Sequence, residues 1–322
     1  MRVVLPGGSG QVGTILARTF HADGHDVCVL SRSRATRQAP WRTAAWDART
    51  VGDWARELDG ADAVVNLAGR SVNCRYNAGN RHAVMASRVE STRAVGEAIA
   101  AADRPPPVWL QMSTATIYAH RYDAGNDEDS GLIGGDEPDA PPGWRFSIDV
   151  ATAWERTVAA AETPRTRKVI LRAAVILSPD RGGIFDTLLG LVRRGLGGRS
   201  GDGRQYVSWV HDRDFVRAID WLIAHDQVDG AVNVAAPNPV PNDAFMRALR
   251  DAWGIRLGLP ASRWMLELGA VFLRTETELV LKSRRVVPAV LSRRGFRFEF
   301  PTWPEAARDL CDRWRAGRAA AE

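Results

Sequence analysis

Apolar residues in this chain come in short runs separated by longer amphipathic stretches. VVL (3–5), VCVL (27–30), AVVNLA (63–68), VWLQM (108–112) and KVILRA (168–173) are nearly continuous apolar runs, the pattern of strands buried on both faces. GTILARTFHADG (13–24) and ASRVESTRAVGEAIAAA (86–102) carry apolar positions at helical spacing. Alternation of strand and helix requires right-handed crossovers, so the pattern predicts an α/β fold with a doubly wound parallel sheet. Residues 119–145 break it. They are rich in Gly, Pro and acid and too long for an ordinary connection, which fits either a lid over a site or a solvated insertion. From about residue 255 the alternation stops. Residues 262–285 read as mostly helix, and 293–310 as a short strand, a proline break and a last helix. The expected organisation is a nucleotide-binding domain over 1–250, with part of the substrate region inserted after about 178. A smaller C-terminal substrate domain follows over 251–322.

Composition narrows the class. Of 322 residues, 45% are hydrophobic and 25% charged, as in a soluble globular protein. The net charge is +5, and the only lysines are Lys168 and Lys282. The arginines are scattered and form no basic patch, which argues against a nucleic-acid partner. Cys28, Cys74 and Cys311 are far apart with no C-x-x-C pair, arguing for reduced thiols in a cytoplasmic protein and against a zinc site. The acidic loop lacks the spacing of a calcium site. No apolar run reaches the ~18–20 residues of a membrane span, and no secretory leader is visible.

The first strand runs into GGSGQVG (7–13), which places Gly7, Gly10 and Gly13 as G-x-x-G-x-x-G ahead of an apolar helix. The first glycine permits the turn, the second lets pyrophosphate approach the backbone, and the third lets the helix pack on the sheet. The helix N-terminus adds N–H groups and a partial positive charge. Ser9, Gln11 and Val12 complete the candidate phosphate turn. An NAD-binding protein places an acid at the end of the second strand to hold the ribose hydroxyls. Here Ser31 and Arg32 stand there, with Arg34 close by. A guanidinium suits a 2′-phosphate, so the expected cofactor is NADP.

The chemistry is harder to read. Counting back from Glu155 in GWRFSIDVATAWE (143–155), a Y-x-x-x-K-x-x-x-E pattern would put its Tyr at Ser147 and its Lys at Ala151. Four residues after Tyr76, Tyr118, Tyr122 and Tyr206 lie Asn80, Tyr122, Asn126 and Val210, so no Tyr-Lys pair has this spacing. A serine hydroxyl has a far higher pKa than a phenol, and Ser147 has no cation at helical spacing. It is therefore not expected to take over proton transfer. Thr114 and Tyr118, in STATIYA (113–119), should emerge at the carboxyl edge of the sheet and are the candidate catalytic residues. For Tyr118 a packing role is the stronger reading. His120 and His211 titrate near neutrality but sit in segments that read as structural. Arg199 and Arg204, in the glycine-rich GLGGRSGDGRQ (195–205), could meet phosphate or simply be solvated.

DAVVNLAG (62–69), SRVESTR (87–93), STATIYA, LRAAVIL (171–177), GDGRQYVSWVHDRD (201–214), RVVP (285–288) and GFRFEFP (295–301) join the glycine turn in a wider pattern. Through nearly its whole length the chain resembles the atypical extended short-chain dehydrogenase/reductases. These are epimerase-like, or nucleoside-diphosphate-sugar-epimerase-like, proteins with a small C-terminal domain of unknown function. The resemblance implies an NADP-type Rossmann domain, with Leu67, Ala68 and Gly69 passing beneath the cofactor. It also implies that Thr114 matches the Ser/Thr that holds a substrate oxygen, and that the Tyr-x-x-x-Lys pair is typically missing. Two readings follow. One is an NADP-dependent oxidoreductase or redox-assisted isomerase or epimerase acting on a small molecule. The other is a non-catalytic NADP-binding sensor or partner protein. A lyase or isomerase that keeps NADP as scaffold is a third.

Overall fold

The structure, a computed structural model, describes residues 1–32, 39–137, 140–262 and 278–319. Its centre is a sheet of seven parallel strands. In chain order the strands are β1 (Arg2–Pro6), β2 (Asp26–Ser31), β3 (Arg42–Ala45), β4 (Ala63–Asn66), β5 (Val108–Thr114), β6 (Arg167–Ala173), β7 (Val175–Leu177), β8 (Tyr206–Val207), β9 (Trp209–His211), β10 (Gly230–Val234) and β11 (Val240–Pro241). The sheet order is β10-β6-β5-β4-β1-β2-β3, and β7–β9 and β8–β11 form separate two-stranded pairs. The chain steps outward from β1 in one direction through β2 and β3, then returns to the other side through β4. The reversal opens a crevice at the carboxyl ends of β1 and β4, where open α/β sheets bind ligands.

The expected doubly wound sheet is present, and all five apolar runs form its strands. β3 is a four-residue edge strand, exposed along most of its length, so its sequence RTAA carries no apolar run. β10 forms the opposite edge and carries a buried polar residue, Asn233, in its interior.

Successive side chains of a strand face opposite sides of the sheet. Val3 and Leu5 of β1 enter a core shared with Ile15, Leu16 and Phe20 of helix α1 (Gln11–Ala22). Val4 enters the opposite core, against Val95 and Ile99 of α2 (Ala78–Ala101) and Val158 of α3 (Arg145–Ala160). Helix α5 (Asp212–Ala224) joins α1 on the first face through Phe215, Ile219 and Leu222. A third core joins α4 (Ile184–Arg193) and α6 (Asn242–Trp253) to the C-terminal helix. Phe245 stacks on Trp303 there, with ring centroids 4.0 Å apart. This core draws on segments from both sides of residue 250. Among the described residues no helix is long and apolar enough to cross a membrane.

Of the helix expected over 262–285, residues 263–277 lie outside the described residues; within them a short helix α7 (Glu278–Leu281) forms. It is followed by α8 (Ala289–Arg293) and the last helix α9 (Trp303–Ala319). The expected strand in GFRFEF is not formed. The N–H groups of Glu299 and Phe300 donate to the carboxylate of Asp214 instead of to a neighbouring strand.

The long loop is fastened to this tail. Asn126 N donates to Arg285 O, and Val287 N donates to Asn126 O. Glu128 accepts from the N–H groups of Asn233, Ala289 and Val290. Nearly nine tenths of the way along the chain, the tail thus returns across the carboxyl end of the sheet and is stitched to the connection after β5.

One ion pair braces that end. Glu155 of α3 receives two hydrogen bonds from Arg172 of β6, at 2.9 and 2.7 Å, and a third from Ser113 Oγ at 2.6 Å. Both side chains are largely buried. Removing one partner of a buried pair strands the other charge, which typically costs about 3–5 kcal/mol. Glu155→Ala should lower stability on that scale, read as a shift in the urea unfolding midpoint.

Candidate functional site

The glycine turn leaves no room for side chains on its inner side. Gly7 has φ +75°, and a Cβ there would stand 2.6 Å from the Ala68 Cα. A Cβ on Gly13 would stand 2.3 Å from the Gly8 Cα, so helix and turn touch backbone to backbone. Gly10 differs: its nearest atom would be 3.7 Å away, because it faces an open cleft. Gly10 is also the cap of α1 and offers no side-chain acceptor, so the first N–H groups of the helix are not capped by their own chain. This is the cradle a pyrophosphate requires.

The cleft has a volume of about 310 Å³. Of the residues expected to hold the cofactor, Gly7, Ser9, Gly10, Ser31, Arg32, Ala68 and Gly69 line it. Gln11, Val12, Gly13 and Leu67 do not. Gly13 serves the packing just described, Val12 and Leu67 pack against the core, and the Gln11 side chain lies against Gly183. Arg34 lies outside the described residues. The sequence reading missed the wall that follows β3, formed by Trp46, Asp47, Ala48 and Arg49. There Asp47 accepts from the N–H groups of Arg49 and Thr50, and Ala48 takes a positive φ of 63°. Arg49 pairs with Glu90 of α2 at 2.9 Å, tying the two walls together. The signal for this wall was weak, since it hangs on an edge strand with no apolar run.

Thr114 ends β5 at the carboxyl edge, as expected. Its Oγ1 accepts from Thr116 N at 3.1 Å, which leaves the hydroxyl proton to donate. Tyr118 lies inside the fold. Its ring is 2% exposed, and its hydroxyl donates to Asn233 Oδ1 at 2.9 Å while accepting from Arg172 at 3.0 Å. The phenol is thereby consumed in the network that joins β6, β10 and the tail. His211 is buried between Asp309, 2.9 Å away, and Asp212, with Phe300 stacked on its ring; burial holds its pKa below the usual value. His120 Nδ1 accepts from Ser283 N. Both histidines serve as joints between segments. Arg199 and Arg204 line a separate cleft of about 360 Å³ with Tyr122 and Asp202.

Beside the turn that follows Thr114, the structure assembles a group that sequence spacing could not show. Ser147 Oγ donates to Glu278 Oε2 at 2.6 Å, and Tyr76 OH lies 3.5 Å from Ser147 Oγ. Glu278 Oε1 is 3.7 Å from Lys282 Nζ, and these side chains are 2% and 1% exposed. Lys282 donates to Thr116 O, and Arg284 to Thr116 Oγ1 and to the Glu278 carbonyl. Burial pushes the Glu278 carboxyl up and the Lys282 ammonium down to about 8. Ser147 thus has charged groups beside it after all, brought in by α7 and the residues after it, about 130 positions further along the chain. Lys282 left one trace in the sequence: it is one of two lysines among 43 basic residues.

A strand, a glycine turn and an uncapped helix facing a cleft at the switch point define a dinucleotide-binding Rossmann protein. A model of the NAD dependent epimerase/dehydratase family matches residues 3–235, and the chain belongs to that family. Residues 261–310 match a domain of unknown function, DUF1731. The epimerase family protein SDR39U1 of Bos taurus is 34% identical over 316 residues, covering 96% of this chain and 99% of that protein. The crystal structure of human SDR39U1 with NADPH superposes with a TM-score of 0.84 at 30% identity, covering 97% of this chain and 99% of that one. A nucleoside-diphosphate sugar epimerase from Corynebacterium glutamicum gives a TM-score of 0.74 at 27% identity, covering 99% of this chain and 61% of that one. The resemblance read from the motifs is borne out.

Tyr118→Phe should leave Asn233 Oδ1 and an Arg172 N–H without their partner. The expected cost is about 1–3 kcal/mol of stability, by chemical denaturation, with nucleotide binding unchanged.

Proposed function

We propose that this protein is an NADP-dependent oxidoreductase, or a redox-assisted isomerase or epimerase, acting on a small molecule. The observation that carries the cofactor choice is Arg32 in the cleft wall at the end of β2, with Ser31 where an NAD-binding protein would hold an acid. The similar human protein crystallised with NADPH supports the same choice. Gly7, Ser9 and Gly10 would hold the pyrophosphate, Ser31 and Arg32 the 2′-phosphate, and Ala68 and Gly69 the floor beneath the cofactor. When bound, the nicotinamide supplies a hydride acceptor or donor. Thr114 donates its free hydroxyl proton to a substrate oxygen and stabilises negative charge there, a role that needs no lysine.

Two measurements test this reading. Titration followed by nicotinamide fluorescence should show tighter binding of NADPH than of NADH. Arg32→Ala should weaken NADPH by about 1.5–3 kcal/mol, the scale of a hydrogen bond to a charged group, and leave NADH nearly unchanged. Equal affinities in the unaltered protein would sink the NADP assignment.

Reduction of the dicarbonyl probe 9,10-phenanthrenequinone by NADPH should fall roughly 10²–10³-fold in Thr114→Val, the usual effect of losing one such donor. Full turnover in the variant removes Thr114 from the chemistry. NADPH binding without any turnover by the unaltered protein favours the non-catalytic reading.

A further inference from the structure

The described side chains hold one acid-base group that cofactor binding does not use. Glu278 is buried at a junction of three elements: α3 through Ser147, the turn after β5 through Thr116, and its own tail through Lys282 and Arg284. Its two oxygens are treated differently. Oε2 takes a 2.6 Å hydrogen bond from Ser147, whereas the buried Oε1 accepts no hydrogen bond among the described residues and has the Lys282 ammonium 3.7 Å away.

The two ends of this group reach different spaces. On one side, Ser147 neighbours Tyr76, and Tyr76 lies in the segment that leads from Gly69 of the nucleotide cleft into α2. On the other side, Lys282 lines a second cavity of about 300 Å³ together with Glu137, Trp144, Arg145 and Ile148. Ser147, Glu278 and Lys282 therefore form a line from Tyr76, in the segment after Gly69, to that cavity.

We propose that this line is a proton relay, in which Ser147 Oγ exchanges a proton with a substrate hydroxyl or carbonyl oxygen and Glu278 holds the proton behind it. The proposal rests on the oxidoreductase reading above. When a substrate alcohol is oxidised, its C–H hydride would pass to the bound nicotinamide while its O–H bond breaks and its proton goes to Ser147 Oγ. The proton of Ser147 passes at the same time to Glu278 Oε2. From Glu278 the proton leaves past Lys282 to the second cavity, and in reduction each transfer runs in reverse. Ser147 is the group that touches substrate; Glu278 and Lys282 act through it.

The charges facing Glu278 are balanced for such a task. Lys282 and Arg284 stabilise its anion, as does the Ser147 hydroxyl, while burial opposes it; Glu137, across the second cavity, faces Lys282. A lysine at this place, in a chain that otherwise uses arginine, is the cation able to give up its proton.

The test uses the full chain. The infrared carbonyl-stretch band of a protonated buried carboxyl, followed as pH is raised, should persist in the unaltered protein beyond the usual carboxylate range. It should be absent from Glu278→Gln and displaced in Ser147→Ala. Lys282→Met, which removes a stabilising cation, should move the disappearance of the band to higher pH. Turnover of 9,10-phenanthrenequinone should fall roughly a hundredfold in Ser147→Ala, the scale of a lost acid-base group, and lose its pH dependence in Glu278→Gln. A band missing from the unaltered protein, or one unmoved by Ser147→Ala, overturns the relay, as does unchanged turnover in Ser147→Ala. If Glu278→Gln fails to fold, Ser147→Ala and Lys282→Met decide. NADPH binding is followed in every variant. Its absence from the unaltered protein, with the band behaving as expected, overturns the cofactor reading and not the relay.

Discussion

Everything in this molecule is arranged around a place where two backbones touch. Gly13 of α1 lies against Gly8, and Gly7 lies against Ala68 at the end of β4, with no space for a Cβ at either contact. The first contact fixes where α1 begins. The second fixes how close β1 and β4 stand at the crevice. Because β1 and β4 are neighbours in a fully parallel sheet, the same contact sets the floor of the nucleotide cleft. Parallel strands buried on both faces leave the sheet no freedom to adjust. The cleft is therefore a product of packing, and binding draws on geometry already settled when the sheet forms.

The nucleotide half of the site was legible because its determinants are local. A glycine turn between an apolar strand and an apolar helix has one reading, and Ser31 and Arg32 follow the second strand directly. The wall after β3 was not legible, since a four-residue edge strand exposed to solvent needs no apolar run. Tyr118 shows a different limit. Its position at the carboxyl edge was readable, but its direction was decided by Asn233 and Arg172, on two strands that follow later in the chain. The acid-base half was hidden for the same reason: Ser147 and Glu278 are brought together by tertiary packing, and no spacing rule spans that separation.

The tail accounts for most of this hidden part. Asn126 and Val287 exchange backbone contacts, Glu128 receives three N–H groups, and Lys282 and Arg284 both bind the turn that follows Thr114. The long loop after β5 thus serves neither as a free lid nor as a solvated insertion. It is the surface on which the C-terminal segment is held, and through it the segment places charged side chains beside the Rossmann crevice.

That arrangement has a consequence for how the protein is made. A ribosome delivers the chain from its N-terminus, and domains fold as they emerge. The seven-stranded sheet is complete once β10 has appeared, so the nucleotide cleft can form early. At that moment Glu128 lacks two of its three donors, Asn233 Nδ2 lacks its acceptor on Val287, and Ser147 has no carboxylate to meet. A nascent chain at this stage has its nucleotide cleft but lacks the groups that the tail brings beside it. The tail, made after the sheet, satisfies these buried polar groups and brings Glu278 to Ser147 in the same docking step, so the order of synthesis is also the order of assembly.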